Sequence, residues 1–112
     1  MAQHLLVSLK LQWTDHDNYK ATVETQVLDT CYKAKSIRAG LPPGMVGLPE
    51  VAYITAEISR DVVPGQKCGQ LVHNIDQTLD KFSSAGHPLG AFAFVLVNDH
   101  QVGTSALTPF PR

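Results

Sequence analysis

The amino-terminal quarter of the chain alternates between apolar and polar side chains. Residues 5–13 place leucine, valine and tryptophan at every second position, and residues 19–28 resume the alternation after a polar stretch at 14–18. Period-two alternation is typical of half-buried strands, and the sequence TDHDN at 14–18 is rich in turn-forming residues. The pattern therefore predicts a β-hairpin. Its second arm leaves helix open for residues 22–39, because several apolar residues there also stand at helical spacing.

Three later segments have strand patterns. Residues 51–59 alternate, although Pro49 and Glu50 could equally open a short helix. Residues 90–97, GAFAFVLV, are apolar at every position, which is expected of a central strand covered on both faces. A last strand is predicted at about 102–107.

The strongest helical pattern lies at about residues 66–84. Its apolar residues recur at steps of three and four along one stripe, and Gly86 and Pro88 follow as stop signals. The members of the stripe are Cys68, Leu71, Val72, Ile75, Leu79 and Phe82.

These elements predict one α+β domain over residues 1–112. In this fold an antiparallel sheet of about five strands carries one main helix, at about 66–84, on one face. The alternative is an all-β sandwich, which applies if the helix does not form. A chain of 112 residues is long enough for a single core.

The segment between the second and third predicted strands is unusually apolar for a loop. Residues 39–50, AGLPPGMVGLPE, carry no charge before Glu50, and their prolines and glycines prevent a regular element. Loops normally lie on the surface, so these side chains either fold back over the protein's own core or face a partner. The predicted interface residues are Leu41, Pro42, Pro43, Met45, Val46 and Leu48.

The spacing of Cys68 and His73 raises the question of a metal or thiol site. Five residues advance a helix by about 500°, which leaves the two side chains about 140° apart. The pair is therefore interpreted as a core thiol and a surface histidine. Cys31 and Cys68 are predicted to be free thiols, and a disulfide between them is expected only if the chain is exported.

The amino terminus predicts a cytoplasmic location. The sequence MAQHLLVSLKLQW has neither the basic start nor the apolar run of a secretory signal, although a mature form without its signal would look the same. No stretch approaches the roughly 18 apolar residues of a membrane span, so no membrane partner is expected.

Two Asp/His turns are the other candidates for chemistry. His16 with Asp17, and Asp99 with His100, lie in predicted hairpin turns, where turn geometry alone explains the aspartates. If the two turns met at one end of the sheet, their carboxylates and imidazoles could bind a divalent metal or form a small active site.

Composition disfavours nucleic acid as a partner. The sequence pI is about 6.5, well below that of a dedicated nucleic-acid binder, and the basic cluster at 33–38 is interpreted as a solvated face. The motifs Gly-x-Ser-x-Gly, Ser-x-x-Lys and Cys-x-x-Cys are missing from the sequence, so the prediction leans away from an enzyme and includes no cofactor.

The functional hypothesis follows from low charge and the apolar loop. Charged residues make up 17% of the chain, against roughly 25% on average, and the formal net charge is -1. We therefore expect a small soluble protein-binding module, of the accessory-subunit, inhibitor or adaptor type. It would form a homo-oligomer with the 39–50 loop in the contact surface, and could also bind another protein. The alternative is a small enzyme or metal or ligand binder built from the two Asp/His turns.

Overall fold

In the computed structural model, which describes residues 4–111, the chain is a sandwich of two β-sheets. Seven strands form between Leu6 and Thr104. Sheet A has the strand order β1-β2-β5, and sheet B has the order β3-β4-β6-β7. The strands are β1 (Leu6–Asp15), β2 (Asn18–Asp29), β3 (Tyr32–Ala39), β4 (Val51–Arg60), β5 (Gln70–Ser83), β6 (Gly90–Val97) and β7 (His100–Thr104).

The predicted α+β fold is wrong, and the all-β alternative fits. The described residues 4–111 contain no helix, and the segment predicted as the main helix forms β5 instead. β5 pairs with β2 along its length, from Asn18 opposite Ser83 to Asp29 opposite Gln70. That ladder pairs the backbone groups on the edge of β2 that faces away from β1, which a helix packed on the face of the sheet would leave unpaired.

The helical pattern gave a wrong prediction because, in β5, the alternation of inward and outward positions does not follow the alternation of apolar and polar residues. Two polar side chains, His73 and Gln77, occupy inward positions of the strand together with Ile75 and Leu79. A register shift between Leu79 and Phe82 then places the buried Phe82 ring three residues after Leu79, so that it breaks the period of two. Leu71 and Val72, which the helix would bury, are 54% and 58% exposed. An apolar spacing of three and four residues is therefore produced by a bulged strand.

The predicted hairpin is present, and the region that was open between helix and strand forms β2 and β3. β1 pairs with β2 antiparallel over nearly its whole length. The apolar segment 90–97 is β6, a central strand as predicted, but it pairs in parallel with β4. The single antiparallel sheet is thus replaced by two sheets, one of which contains a parallel pair.

The core lies between the sheets and is built from small and β-branched side chains. Ala21, Val23 and Val27 of β2 face Ile54 and Ile58 of β4, and all five are at most 1% exposed. Full burial of a Val or Ile side chain contributes roughly 1.5 to 3 kcal/mol, so this layer is the main source of stability.

A buried glutamine joins the two sheets at one edge. The side-chain amide of Gln77 on β5 donates to the carbonyl oxygens of Ser36 at 2.8 Å and Glu57 at 2.9 Å. These carbonyls lie where the register of β3 against β4 shifts between Ala34 and Ser36. The glutamine therefore supplies donors to backbone groups beside the irregularity.

Replacing Gln77 with methionine is expected to lower the free energy of unfolding by about 2 kcal/mol, because two buried carbonyls lose their donor while side-chain volume is nearly kept. Urea unfolding followed by circular dichroism measures the change. Gln101→Met, the same substitution at an exposed position on β7, is the control and should change stability by less than about 0.5 kcal/mol. Equal effects of both variants would contradict the bridging role.

Candidate functional site

The outer face of sheet B, which points away from sheet A, carries a cluster of aromatic rings. Tyr53 of β4 and Phe92 and Phe94 of β6 alternate with the alanines and isoleucine that face the core. The ring centroids of Phe92 and Phe94 are 5.1 Å apart, and the Tyr53 ring lies 6.0 Å from that of Phe94 and 6.3 Å from that of Phe92. These distances are within the range of favourable aromatic pairs.

The 40–50 connection folds back over this face. Its first residue is fixed to β4, since the Gly40 amide donates to the Tyr53 carbonyl at 2.7 Å and the Thr55 hydroxyl donates to the Gly40 carbonyl at 2.9 Å. Near its second end, the Leu48 amide donates to the Tyr53 phenolic oxygen at 2.9 Å. The loop thus covers part of the protein's own apolar sheet, as one of the two interpretations of its sequence required.

The loop does not cover the rings completely. Between it and Leu107 lies an open cavity of about 280 Å³, which we call the aromatic groove; its floor is Tyr53, Phe92 and Phe94 and its rim is Val46, Leu48 and Leu107. The rim residues stand out into solvent, with Val46 95%, Leu48 59% and Leu107 49% exposed. An apolar groove with apolar rims is the kind of surface that marks a contact site.

The predicted interface residues are divided between two sides of the loop. Leu41, Val46 and Leu48 line the aromatic groove. Pro42, Pro43 and Met45 line a second cavity of about 350 Å³, together with Arg38, Glu57, Leu96, Asp99 and Gln101. Pro42 is buried, whereas Pro43 is exposed and Met45 is 39% exposed. The loop is therefore anchored through Pro42 and presents mainly Val46 and Leu48.

The structure places the two Asp/His turns at opposite ends of the sandwich. His16 and Asp17 join β1 to β2, beside the Asn18 end of β2, where the Ser84 amide donates to the Asp17 carbonyl at 2.8 Å. Asp99 lies between β6 and β7, next to Asn98. The backbone amide of Asn98 donates to the carbonyl of Ile58, near the Arg60 end of β4.

The separation of the turns excludes a shared site. The Asp99 and His100 turn lies at the Asp29 end of β2, because Asn98 bonds Arg60 and Arg60 bonds Asp29. β2 has 12 residues, and at about 3.3 Å per residue its ends are roughly 36 Å apart. Four side chains so distributed cannot bind one metal ion or act on one substrate.

The predicted free thiols are also wrong, because Cys31 and Cys68 form a disulfide. Their Cα atoms are 5.4 Å apart, and the bond joins the turn between β2 and β3 to the loop before β5. Cys68 therefore lies outside the strand, and its partner is Cys31 rather than His73. The His73 ring bonds the Leu71 carbonyl through Nδ1 at 3.0 Å.

Charged groups surround this disulfide, and we call Asp29, Cys31, Cys68 and Arg60 the cysteine cluster. Arg60 donates to Oδ2 of Asp29 through Nε at 3.2 Å and Nη2 at 2.8 Å, and its Nη2 also lies 3.8 Å from Sγ of Cys68. The Cys31 amide donates to Oδ1 of Asp29 at 2.9 Å. Hydrogen bonding from Arg60 lowers the pKa of Asp29, and the Cys31 amide lowers it further.

The sequence pattern indicates the loop but not the residues against which it lies. Tyr53, Phe92 and Phe94 belong to strands, where aromatic residues are ordinary. The usable signal was that residues 90–97 are apolar on both faces, so that something apolar had to cover the outer face. The Asp29 to Arg60 pair joins residues 31 apart in the chain and gave no signal at all.

No family model matches this chain, and neither the curated proteins nor the solved structures include a match to it. The described part of the chain holds no helix that could cross a membrane.

Proposed function

We propose that this chain is a small non-enzymatic protein-binding module that associates with a second copy of itself through the 39–50 loop and the aromatic groove. The observation that carries the proposal is Val46, which is 95% exposed at the rim of a groove floored by three aromatic rings. A valine held in solvent by a loop that is itself hydrogen-bonded to the sheet has no role in the core of the monomer.

Self-association is supported by the chemistry of the groove and its rim. The groove is lined by apolar and aromatic side chains, and the projecting residues beside it are aliphatic. In a two-fold arrangement the rim of each copy enters the groove of the other, so one surface supplies both the projecting group and its pocket. The net charge of -1 adds little repulsion between copies.

Replacing Val46 with aspartate is expected to weaken self-association by about a hundredfold. A two-fold contact loses two buried valines, each worth roughly 1.5 kcal/mol, and about 3 kcal/mol corresponds to a factor of about 100 in Kd. Sedimentation equilibrium across a concentration series measures the Kd of the wild type and of the variant.

The matched control is Val63→Asp, which places the same change on a valine that is 62% exposed in the β4–β5 connection. Its Kd should equal that of the wild type. A wild type that stays monomeric at high micromolar concentration would overturn the proposal, and so would equal weakening by both variants.

The location of the module is linked to its cysteine pair. Disulfides persist in oxidising compartments, whereas cytoplasmic thiols are kept reduced. The disulfide therefore favours an oxidising compartment, and the cytoplasmic location remains a prediction from the amino terminus alone.

A further inference from the structure

The cysteine cluster brings together three groups that are metal ligands when the cysteines are reduced. The ligand atoms of Asp29, Cys31 and Cys68 all lie within 4.8 Å of one another. Tetrahedral zinc with Zn–S bonds of about 2.3 Å holds two sulfur atoms about 3.8 Å apart. Two separated thiolates and one carboxylate at this spacing match the ligands that zinc prefers.

We propose that the reduced chain binds one Zn²⁺ through Cys31, Cys68 and Asp29, with water in the fourth position. The inference is independent of the groove, which lies on the outer face of sheet B. In the reduced chain, the metal ion crosslinks the same two connections that the disulfide joins.

Formation of the site is a balanced exchange. A dithiol reductant transfers two electrons and two protons to the Sγ–Sγ bond, giving two thiols and the oxidised reductant. Zn²⁺ then replaces the two thiol protons, which pass to the buffer. No other oxidant or reductant is needed.

Arg60 gives the site its supporting charge and orientation. It already donates two hydrogen bonds to Oδ2 of Asp29, and ligating carboxylates are typically held by such outer partners. Its Nη2 lies 3.8 Å from Sγ of Cys68, where a positive charge favours the thiolate. The negative charges of two thiolates and one carboxylate are balanced by Zn²⁺ and Arg60 together.

The site is also reachable. Cys31 is buried, but Cys68 and Asp29 are both partly exposed, and residues 61–67, which precede Cys68, are exposed. A metal ion that approaches from this side meets Cys68 and Asp29, neither of which is fully buried.

The test is a metal titration of the full chain after it has been reduced by a dithiol and the dithiol, which binds the same metals, has been removed without oxygen. A chromophoric competitor reports free Zn²⁺, and Co²⁺ absorption reports ligation by the protein thiolates. One equivalent per reduced chain is expected, and no stoichiometric binding by the oxidised chain. Cys68→Ser should weaken zinc binding by about a hundredfold, and Asp29→Asn by at least about tenfold. Asp61→Asn, which removes an exposed carboxylate outside the cluster, should bind as the wild type does.

Thermal unfolding gives a second readout. Zn²⁺ held at about a hundred times the wild-type Kd should raise the Tm of the reduced wild type by about 10 °C and that of Cys68→Ser by no more than about 2 °C. If the reduced chain is unfolded, recovery of the sheet signal in circular dichroism on adding Zn²⁺ supports the site. Failure to recover, the absence of stoichiometric binding, or equal binding by wild type and Cys68→Ser overturns it.

Discussion

Replacing both Cys31 and Cys68 with alanine is expected to lower the free energy of unfolding by about 4 kcal/mol. The disulfide closes a chain segment with a sequence separation of 37, and removing the crosslink frees the unfolded chain to explore many more conformations. Both ends of the bond lie in connections, where the ladder of strands constrains the backbone least.

Urea unfolding in the presence of a metal chelator measures this loss. The chelator is needed because zinc would restore a crosslink in the reduced wild type. Under these conditions the reduced wild type should unfold at the same urea concentration as the double alanine variant. A loss below about 1 kcal/mol would mean that the two connections are held together without the bond.

Ile54→Ala is expected to lower the free energy of unfolding by about 2 to 5 kcal/mol, the range found for other large-to-small core substitutions. Ile54 is fully buried and lies on β4, which is bonded on both sides, so neighbouring strands cannot close over the space that the side chain leaves. The same unfolding experiment measures the effect.

Two further substitutions calibrate the core measurement. Ile54→Val removes one methyl group and should cost about 0.5 to 1.5 kcal/mol, in proportion to the smaller cavity. Val63→Ala, at an exposed position, should cost less than about 0.5 kcal/mol. A loss from Ile54→Ala no larger than that from Val63→Ala would show that β4 does not form the centre of the core.

The sequence predicts the parts of the fold that depend on local pattern. The hairpin of β1 and β2 follows from alternation and a polar turn, and β6 follows from its uninterrupted apolar run. The hairpin pattern lies within residues 5–28 and the apolar run within 90–97, so no information about distant contacts is needed.

The parts that failed depend on distant partners. Gln77 reads as a polar residue that should face solvent, yet its amide bonds carbonyls on β3 and β4. That inward glutamine and the register shift before Phe82 removed the period-two pattern from β5. The local sequence then favoured a helix, and the ladder with β2 overrode it.

The candidate surface shows the same division between local and distant information. The 39–50 loop could be identified from its own sequence. Its prolines and glycines predict a surface loop, whereas its apolar side chains are of the kind that is usually covered. The groove beside it could not be predicted, because its floor joins β4 to β6 through a parallel pairing that no short-range pattern indicates.

The parallel pairing of β4 with β6 also makes the centre of sheet B depend on contacts between distant parts of the chain. Val51 pairs with Gly90, and the intervening chain leaves sheet B to form β5 in sheet A before it returns. Sheet A can therefore be complete before the centre of sheet B exists, with its apolar inner face still uncovered. Folds dominated by such non-local pairings form on the order of milliseconds to seconds. A crosslink between Cys31 and Cys68 lies beside the Asp29 and Gln70 end of the β2–β5 ladder. It therefore shortens the loop that closes when β5 joins sheet A.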